Sequence, residues 1–430
     1  MNRRGAGASE GDARKSRLSV DALVSRIVED VRTDGDAALR KYTLRFDGVR
    51  PGSLRTETAE WDEGWARVGE EFKRDLRSAI RLLRRFARRQ FKAYRDFEFE
   101  VEPGVWTGQR ISPVRRVGIY VPGGRFPLFS SLLMAAVPAR IAGVGEIVVC
   151  TPPARTGTVP ATVLAAARLA GVRDVFKVGG AQAIAAMAFG TATIPKVDKI
   201  VGPGNVYVNA AKRRVYGEVG VDFIAGPTEI MIIADSRADP EFIAADLVAQ
   251  AEHGPLSSGR LVTDAPGLGA RVVRELRKRL RDPKTSEAAG RLLADPGLIR
   301  RVKDMDEAVE AANTTAPEHL SLCVSAPGNL AARLSAFGSL AVGGLTSPVL
   351  EDYASGLNHI LPTNAAARFT GGLGVRDFLK VQTTLRVSEE GLERIGPPAR
   401  RLAAVEGLHG HADAVARRLK ACARFKTRTS

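Results

Sequence analysis

The stretch Asp174-Val-Phe-Lys-Val-Gly-Gly-Ala-Gln-Ala-Ile-Ala-Ala-Met-Ala-Phe189 holds the fold in miniature. A short β-rich run ends on two glycines and passes directly into an alanine-rich helical segment. The same unit recurs on both sides. Val117–Val121 precedes a helix near Ser130–Ala142, Glu146–Cys150 precedes Pro160–Ala170, and Lys199–Val201 precedes Val206–Arg214. Strands that alternate with helices predict a parallel sheet flanked by helices, because parallel neighbours need a crossover connection. A second series opens with Glu229-Ile-Met-Ile-Ile-Ala234. It continues through helix Pro240–Ala251, strand Arg260–Thr263, helix Leu268–Leu280, a helix near Met305–Asn313 and strand Leu320–Val324. The expected fold is α/β, with two Rossmann-like but incomplete parallel-sheet domains. Neither carries the Gly-x-Gly-x-x-Gly fingerprint of an ordinary dinucleotide fold.

Outside these series the texture changes. Val20 to Tyr94 reads as mainly helical, with a helix–turn–helix junction over Asp30–Ala38. From Lys73 to Arg95, basic residues cover one helical face while Leu76, Ile80, Leu83 and Phe86 recur at helical spacing on another. A solvated basic face is the expectation there, and a nucleic-acid groove is the rival. The basic amphipathic helix Ala412–Phe425 is too small for a core of its own and should dock on something else. Residues 1–19 are expected to form a frayed tail, without the apolar segment of a secretory signal.

Composition bounds the function. A chain of 430 residues with 44% hydrophobic and 26% charged content is globular and long enough for two domains. Its formal charge of +16 favours anionic partners. Cys150, Cys323 and Cys422 are few, odd and widely spaced, which argues against a disulfide scaffold and suits a cytoplasmic protein. No apolar run reaches transmembrane length, so no membrane partner is expected.

Chemistry concentrates in four polar blocks, which hold all five histidines. Gln250-Ala-Glu-His253 ends a helix that Gly254-Pro255 should stop, so Gln250 and His253 sit three apart on one face and suit a shared metal. In Ala316-Pro-Glu318-His319-Leu320 the adjacent side chains diverge, which fits an acid/base pair better than two ligands of one ion. Glu351-Asp352-Tyr-Ala-Ser-Gly-Leu-Asn-His359 offers hard oxygens and an imidazole. In Glu406-Gly-Leu-His409-Gly-His411 the two histidines would not share a helix face, so at most one belongs to a site. Two nitrogens and two oxygens from distant blocks fit zinc with an open position. Glycine loops at Tyr120–Gly124, Val178–Gln182, Gly202–Asn205 and Gly226–Thr228 follow apolar runs, and most precede helices. Backbone N–H groups there can face an anion such as a pyrophosphate.

Taken in order, these strings resemble the histidinol dehydrogenase family. The resemblance is carried by Gly118-Ile-Tyr-Val-Pro-Gly-Gly124, Val178-Gly-Gly-Ala-Gln-Ala-Ile184, Gly202-Pro-Gly-Asn205 and Ala225-Gly-Pro-Thr-Glu229. It continues through Gln250–His253, Ala316–Leu320, Asp352–Gly356, Asn358-His359 and Glu406–His411. The resemblance implies NAD-dependent oxidation of L-histidinol to L-histidine through the aldehyde, in a homodimer with one zinc (Zn2+) per site. It further implies zinc ligands Gln250, His253, Asp352 and His411, acid/base residues Glu318 and His319, and NAD contacts Tyr120, Gln182 and Asn205. Thr228, His359 and Glu406 would touch substrate beside His319 and the zinc ligands. The terminal segment would cross to the partner subunit and bring His411 with it. The expected division is a tail at 1–19, a first α/β domain from 20–97 and 229–367, a second from 98–228, and a docking segment at 368–430. The sequence departs from the family pattern at Pro348-Val-Leu-Glu351, where many members have a Pro-Glu-Ser-x-Gly stretch one residue longer before Asp-Tyr. A paralogous dehydrogenase of another small hydroxy compound is the alternative reading.

Overall fold

The computed structural model describes residues 10–123 and 127–429. In chain order its strands are β1 (Phe97–Glu102), β2 (Val105–Pro113), β3 (Arg116–Tyr120), β4 (Glu146–Thr151), β5 (Asp174–Lys177), β6 (Lys199–Val201) and β7 (Gly220–Val221). There follow β8 (Glu229–Ala234), β9 (Ser258–Thr263), β10 (Ile299–Arg301), β11 (His319–Cys323), β12 (Ser339–Val342) and β13 (Leu379–Val387). They form two five-stranded parallel sheets, ordered β5-β4-β3-β6-β7 and β10-β9-β8-β11-β12, and a three-stranded antiparallel sheet, β1-β2-β13. The inner strands β4 and β8 read as near-continuous apolar runs because helices cover both faces, whereas the edge strand β10 does not. Ile119, Val149, Val175, Ile232 and Leu320 have no exposed surface.

The chain divides into two compact units, the described parts of Met1–Gln90 with Val114–Phe378, and of Phe91–Pro113 with Leu379–Ser430. The first unit contains both parallel sheets. Helix Gly180–Phe189 is buried from Ala181 to Ala188, which explains why it shows no polar face. It lies between its sheet and the N-terminal helix Glu10–Asp34, whose Val24, Ile27, Val28 and Val31 share a core with Ile184 and Met187. This corrects two expectations. Residues 10–19 belong to a helix and are not tail; residues 1–9 lie outside the described ones. The N-terminal helices Glu10–Asp34 and Asp36–Asp47 pack on the sheet of residues 116–221, not on the 229–367 half. The junction between them falls at Gly35, whose φ of 53° is open to glycine at little cost.

The second unit also redraws a boundary. Residues 98–113 do not continue into the parallel sheet: β2 pairs along its whole length with β13, Val105 opposite Val387 and Pro113 opposite Leu379. Helices Glu389–Val405 and His409–Thr429 pack against each other in this unit. The docking segment expected over 368–430 therefore begins at Leu379 and recruits Phe91–Pro113. In the basic helix Glu70–Phe91, Leu76, Ile80, Leu83 and Ala87 are buried, whereas Phe86 is turned outward. Among the described residues no helix is long and apolar enough to cross a membrane.

Candidate functional site

Two cavities open in the first unit and meet at Gly123 and Pro127, which line both. The first, of about 790 Å3, takes Gln250, His253, His319 and Asp352 from the β8–β12 half and Phe129 and Ser130 from the other half. Helix Pro240–Ala251 delivers the first pair. Asp239 caps it by accepting from the Glu241 amide, and Pro240 occupies the first turn, where a missing N–H costs nothing. His253 lies two residues past the helix end, not in its last turn as expected; its amide donates to Gln250 O at 3.3 Å, and its Nδ1 lies 3.2 Å from the same oxygen. Gln250 is buried, and its Nε2 donates to Thr228 Oγ1 at 2.6 Å. That bond commits the amide nitrogen and leaves the carbonyl oxygen, the end that can bind a cation, for a ligand.

Thr228 passes the chain of bonds on. Its hydroxyl donates to Glu318 Oε2, which also accepts the Glu229 amide at 3.0 Å. Thr228 therefore holds Gln250 and Glu318 in fixed relation, a task beyond the substrate contact expected of it. Glu318 and His319 straddle the start of β11, and both are buried. Burial pushes the Glu318 pKa up, against the pull of His319 and the two hydrogen bonds. Burial pulls His319 down, but Glu351 and the Glu318 and Asp352 carboxylates outweigh it and leave its pKa raised. Glu351 is the residue that sequence reasoning missed in this role. Its Oε2 stands 3.6 Å from His319 Nδ1, with both side chains under a tenth exposed. Asp246 was missed as well; it lines the first cavity and accepts from Ser347 Oγ at 2.7 Å. His359 faces Asp352, Nδ1 to Oδ1 at 3.3 Å, and does not line the cavity.

Glu406 and His411 belong to the second unit. Glu406 caps helix Glu389–Val405, His411 lies in the first turn of helix His409–Thr429, and both are exposed, as is His409. Among the described residues no three His, Cys, Asp or Glu side chains gather closely enough to hold a metal ion. The first unit by itself offers an amide oxygen, an imidazole and a carboxylate, a donor set of zinc type that is one ligand short.

The second cavity, of about 940 Å3, is lined by Tyr120, Gly180, Gln182 and Asn205. Tyr120 Oη accepts the Gly180 amide at 3.1 Å, and burial pushes the phenol up to about 12. Gln182 is buried at the helix start, and its Oε1 has no partner among the described residues. Asn205 caps helix Val206–Val215, its Oδ1 accepting from the Tyr207 and Val208 amides. The loop before it is pinned by a buried pair. Lys212 Nζ lies 2.7 Å from Asp222 Oδ1, and Asp222 Oδ2 accepts the Gly202 amide at 2.8 Å. Gly202 has φ 118°, and a Cβ there would collide with the Tyr120 carbonyl oxygen. Helix N-termini, an orphaned acceptor and this volume fit a dinucleotide.

A family model described as histidinol dehydrogenase matches residues 11–419. The chain belongs to the histidinol dehydrogenase family. It is 44% identical to the histidinol dehydrogenase of Methanothermobacter thermautotrophicus over 94% of this chain and 96% of that one. It is 45% identical to that of Ruegeria pomeroyi over 95% and 94%. The crystal structure of histidinol dehydrogenase from Elizabethkingia anophelis matches with a TM-score of 0.88 and 35% identity, covering 97% of this chain and 94% of that chain. As a histidinol dehydrogenase family member the chain is an oxidoreductase, and the family's place is in histidine biosynthesis.

Proposed function

We propose that this enzyme oxidises L-histidinol to L-histidine by way of L-histidinaldehyde, with two NAD and one water consumed per turnover. The observation that carries the reading is the bonded series Gln250–Thr228–Glu318, set beside His319 in a cavity that adjoins the glycine-loop cavity at Gly123 and Pro127. An alcohol bound in the first cavity has its acid/base group and its hydride acceptor on neighbouring walls.

Gln250, His253 and Asp352, with His411 from a second copy of this chain, would hold zinc; the bound ion orients the substrate. Tyr120, Gln182 and Asn205 of the second cavity would hold NAD, which would supply the hydride acceptor. The chain's own residues then handle protons. His319, whose pKa is raised by the surrounding carboxylates, accepts the alcohol proton as the carbonyl forms. Glu351 beside Nδ1 stabilises the imidazolium that results. Once the aldehyde has formed, Glu318 takes a proton from water as its oxygen adds to the carbonyl carbon, and His319 returns its proton to the carbonyl oxygen to give the hydrate, whose oxidation yields the carboxylate. A carboxyl raised by burial is a better base than an exposed one. Thr228 and the Glu229 amide keep Glu318 aimed through these steps, and burial of the pair limits stray water. Glu406 would position the substrate, and His359 would act on it through Asp352, which it faces. The homodimer follows from the missing fourth ligand, and the site of action from this biosynthetic role is the cytoplasm.

The test is purified protein mixed with L-histidinol and NAD, with histidine measured as product. Turnover of a non-imidazole alcohol, with none of L-histidinol, would replace this reading by a paralogous dehydrogenase.

A further inference from the structure

The mechanism leaves one carboxylate in the second cavity without a task. Asp47 ends helix Asp36–Asp47, just before Gly48 turns into the left-handed region. A carboxylate there faces the negative end of the helix dipole. Its Oδ2 is shut away from solvent without any hydrogen-bond partner among the described residues. Burial alone pushes the Asp47 pKa up to about 6. No ion pair repays these costs among the described residues. A group that the fold keeps at such expense is expected to serve a ligand.

The cavity indicates which ligand. Asp47 lines the second cavity with Leu23, Ile27, Phe46 and Tyr120, and it does not line the first. The two cavities meet at Gly123 and Pro127, so a dinucleotide whose reacting ring sits at that junction extends its other half toward Asp47. Leu23, Ile27 and Phe46 offer apolar surface to a flat base. An ionised carboxylate offers only acceptors, and the adjacent ribose of such a half carries two hydroxyl donors. We propose that Asp47 selects the cofactor: its carboxylate accepts the ribose hydroxyls of the adenosine half of NAD and turns away a 2′-phosphate. A 2′-phosphate would remove one donor and set a second anion against a carboxylate that already lacks compensation. Arg155 is the one cation lining the cavity among the described residues, and it is the group a 2′-phosphate would need to reach. The inference rests on the dinucleotide reading of this cavity given above.

The experiment titrates NADH and NADPH separately into the purified protein, following nicotinamide fluorescence, for the parent, Asp47→Asn and Asp47→Ser. Melting temperature without nucleotide is recorded for each. The parent should favour NADH. Both variants should bind NADH about tenfold or more weakly while holding or gaining affinity for NADPH, since charge-assisted bonds are lost and a repulsion is removed. Both should also melt at a higher temperature, which a role in folding would not produce. Variants that keep the parent's preference for NADH would overturn the proposal, as would equal losses for both nucleotides with a lowered melting temperature. A parent that binds neither nucleotide would overturn the dinucleotide reading itself and the proposal with it.

Discussion

Replacing Glu351 by Gln should cost this enzyme turnover and little else. The Glu351 carboxylate lies 3.6 Å from His319 Nδ1, and both groups are shielded from water. At an effective dielectric of about 20, a carboxylate and an imidazolium 3.6 Å apart attract by roughly 4.6 kcal/mol. Glutamine keeps the shape and part of the dipole, so the expected loss is about half, roughly 2–3 kcal/mol. At about 1.4 kcal/mol per decade that is a fall in kcat of roughly 30- to 150-fold. At a pH above the raised pKa of His319 the imidazole starts neutral and the imidazolium exists only once the substrate proton has moved, so the loss should there appear in kcat and not in KM. Steady-state NADH formation at saturating L-histidinol measures it. Zinc content must be followed in parallel, because Asp352 is the next residue. A kcat within threefold of the parent, or activity lost in proportion to zinc, would refute the reasoning.

Three further outcomes follow from the same geometry. His319→Asn should abolish turnover with zinc still bound, because the imidazole stands outside the expected ligand set; metal loss measured by atomic absorption would contradict that division of roles. His411→Ala should deplete zinc, and mixing it with a Gln250→Ala variant should restore part of the activity if sites are completed between copies; no recovery would argue against the exchange. The third concerns stability against pH. Asp47 has a folded-state pKa raised to about 6 against roughly 3.9 in an unfolded chain, so the carboxylate costs nothing below pH ~4 and its full penalty above pH ~6. Asp47→Asn should therefore stabilise the enzyme at pH 7 by at most about 3 kcal/mol and leave it unchanged at pH 3.5, as denaturant titrations at the two pH values would show. Equal stabilisation at both would mean that charge is not the cause.

The parallel halves were legible because fully buried strands spell themselves as apolar runs, and glycine or proline marks each turn into a helix. Helix Pro240–Ala251 was readable at its start, where Asp239 and Pro240 punctuate it; its end falls at Ala251, so His253, expected in the last turn before Gly254, lies two residues beyond it. The antiparallel sheet was not read, although Phe97-Glu-Phe-Glu-Val-Glu102 alternates with the period of a strand. Its sheet is completed by β13, far along the chain, and such non-local pairing leaves no local mark. The site divides the same way. Histidine-bearing blocks announce Gln250, His253, His319 and Asp352 by residue type. Glu351 and Asp246 become site residues only because Ser347 and the short helix Val349–Tyr353 come against helix Pro240–Ala251 and β11. Thr228 was found but its task was not, since the Gln250 and Glu318 bonds that define it come from separate segments.

The central claim is that one protein, with zinc bound, carries a hydroxyl on an imidazole-bearing substrate through two oxidations. Its most direct measurement is the stoichiometry of NADH formed per L-histidinol consumed by the purified, zinc-loaded enzyme, before and after chelation. Two NADH with one L-histidine, lost on chelation and restored by zinc, is the predicted result. One NADH with free aldehyde as product, or full turnover in chelator, would contradict it.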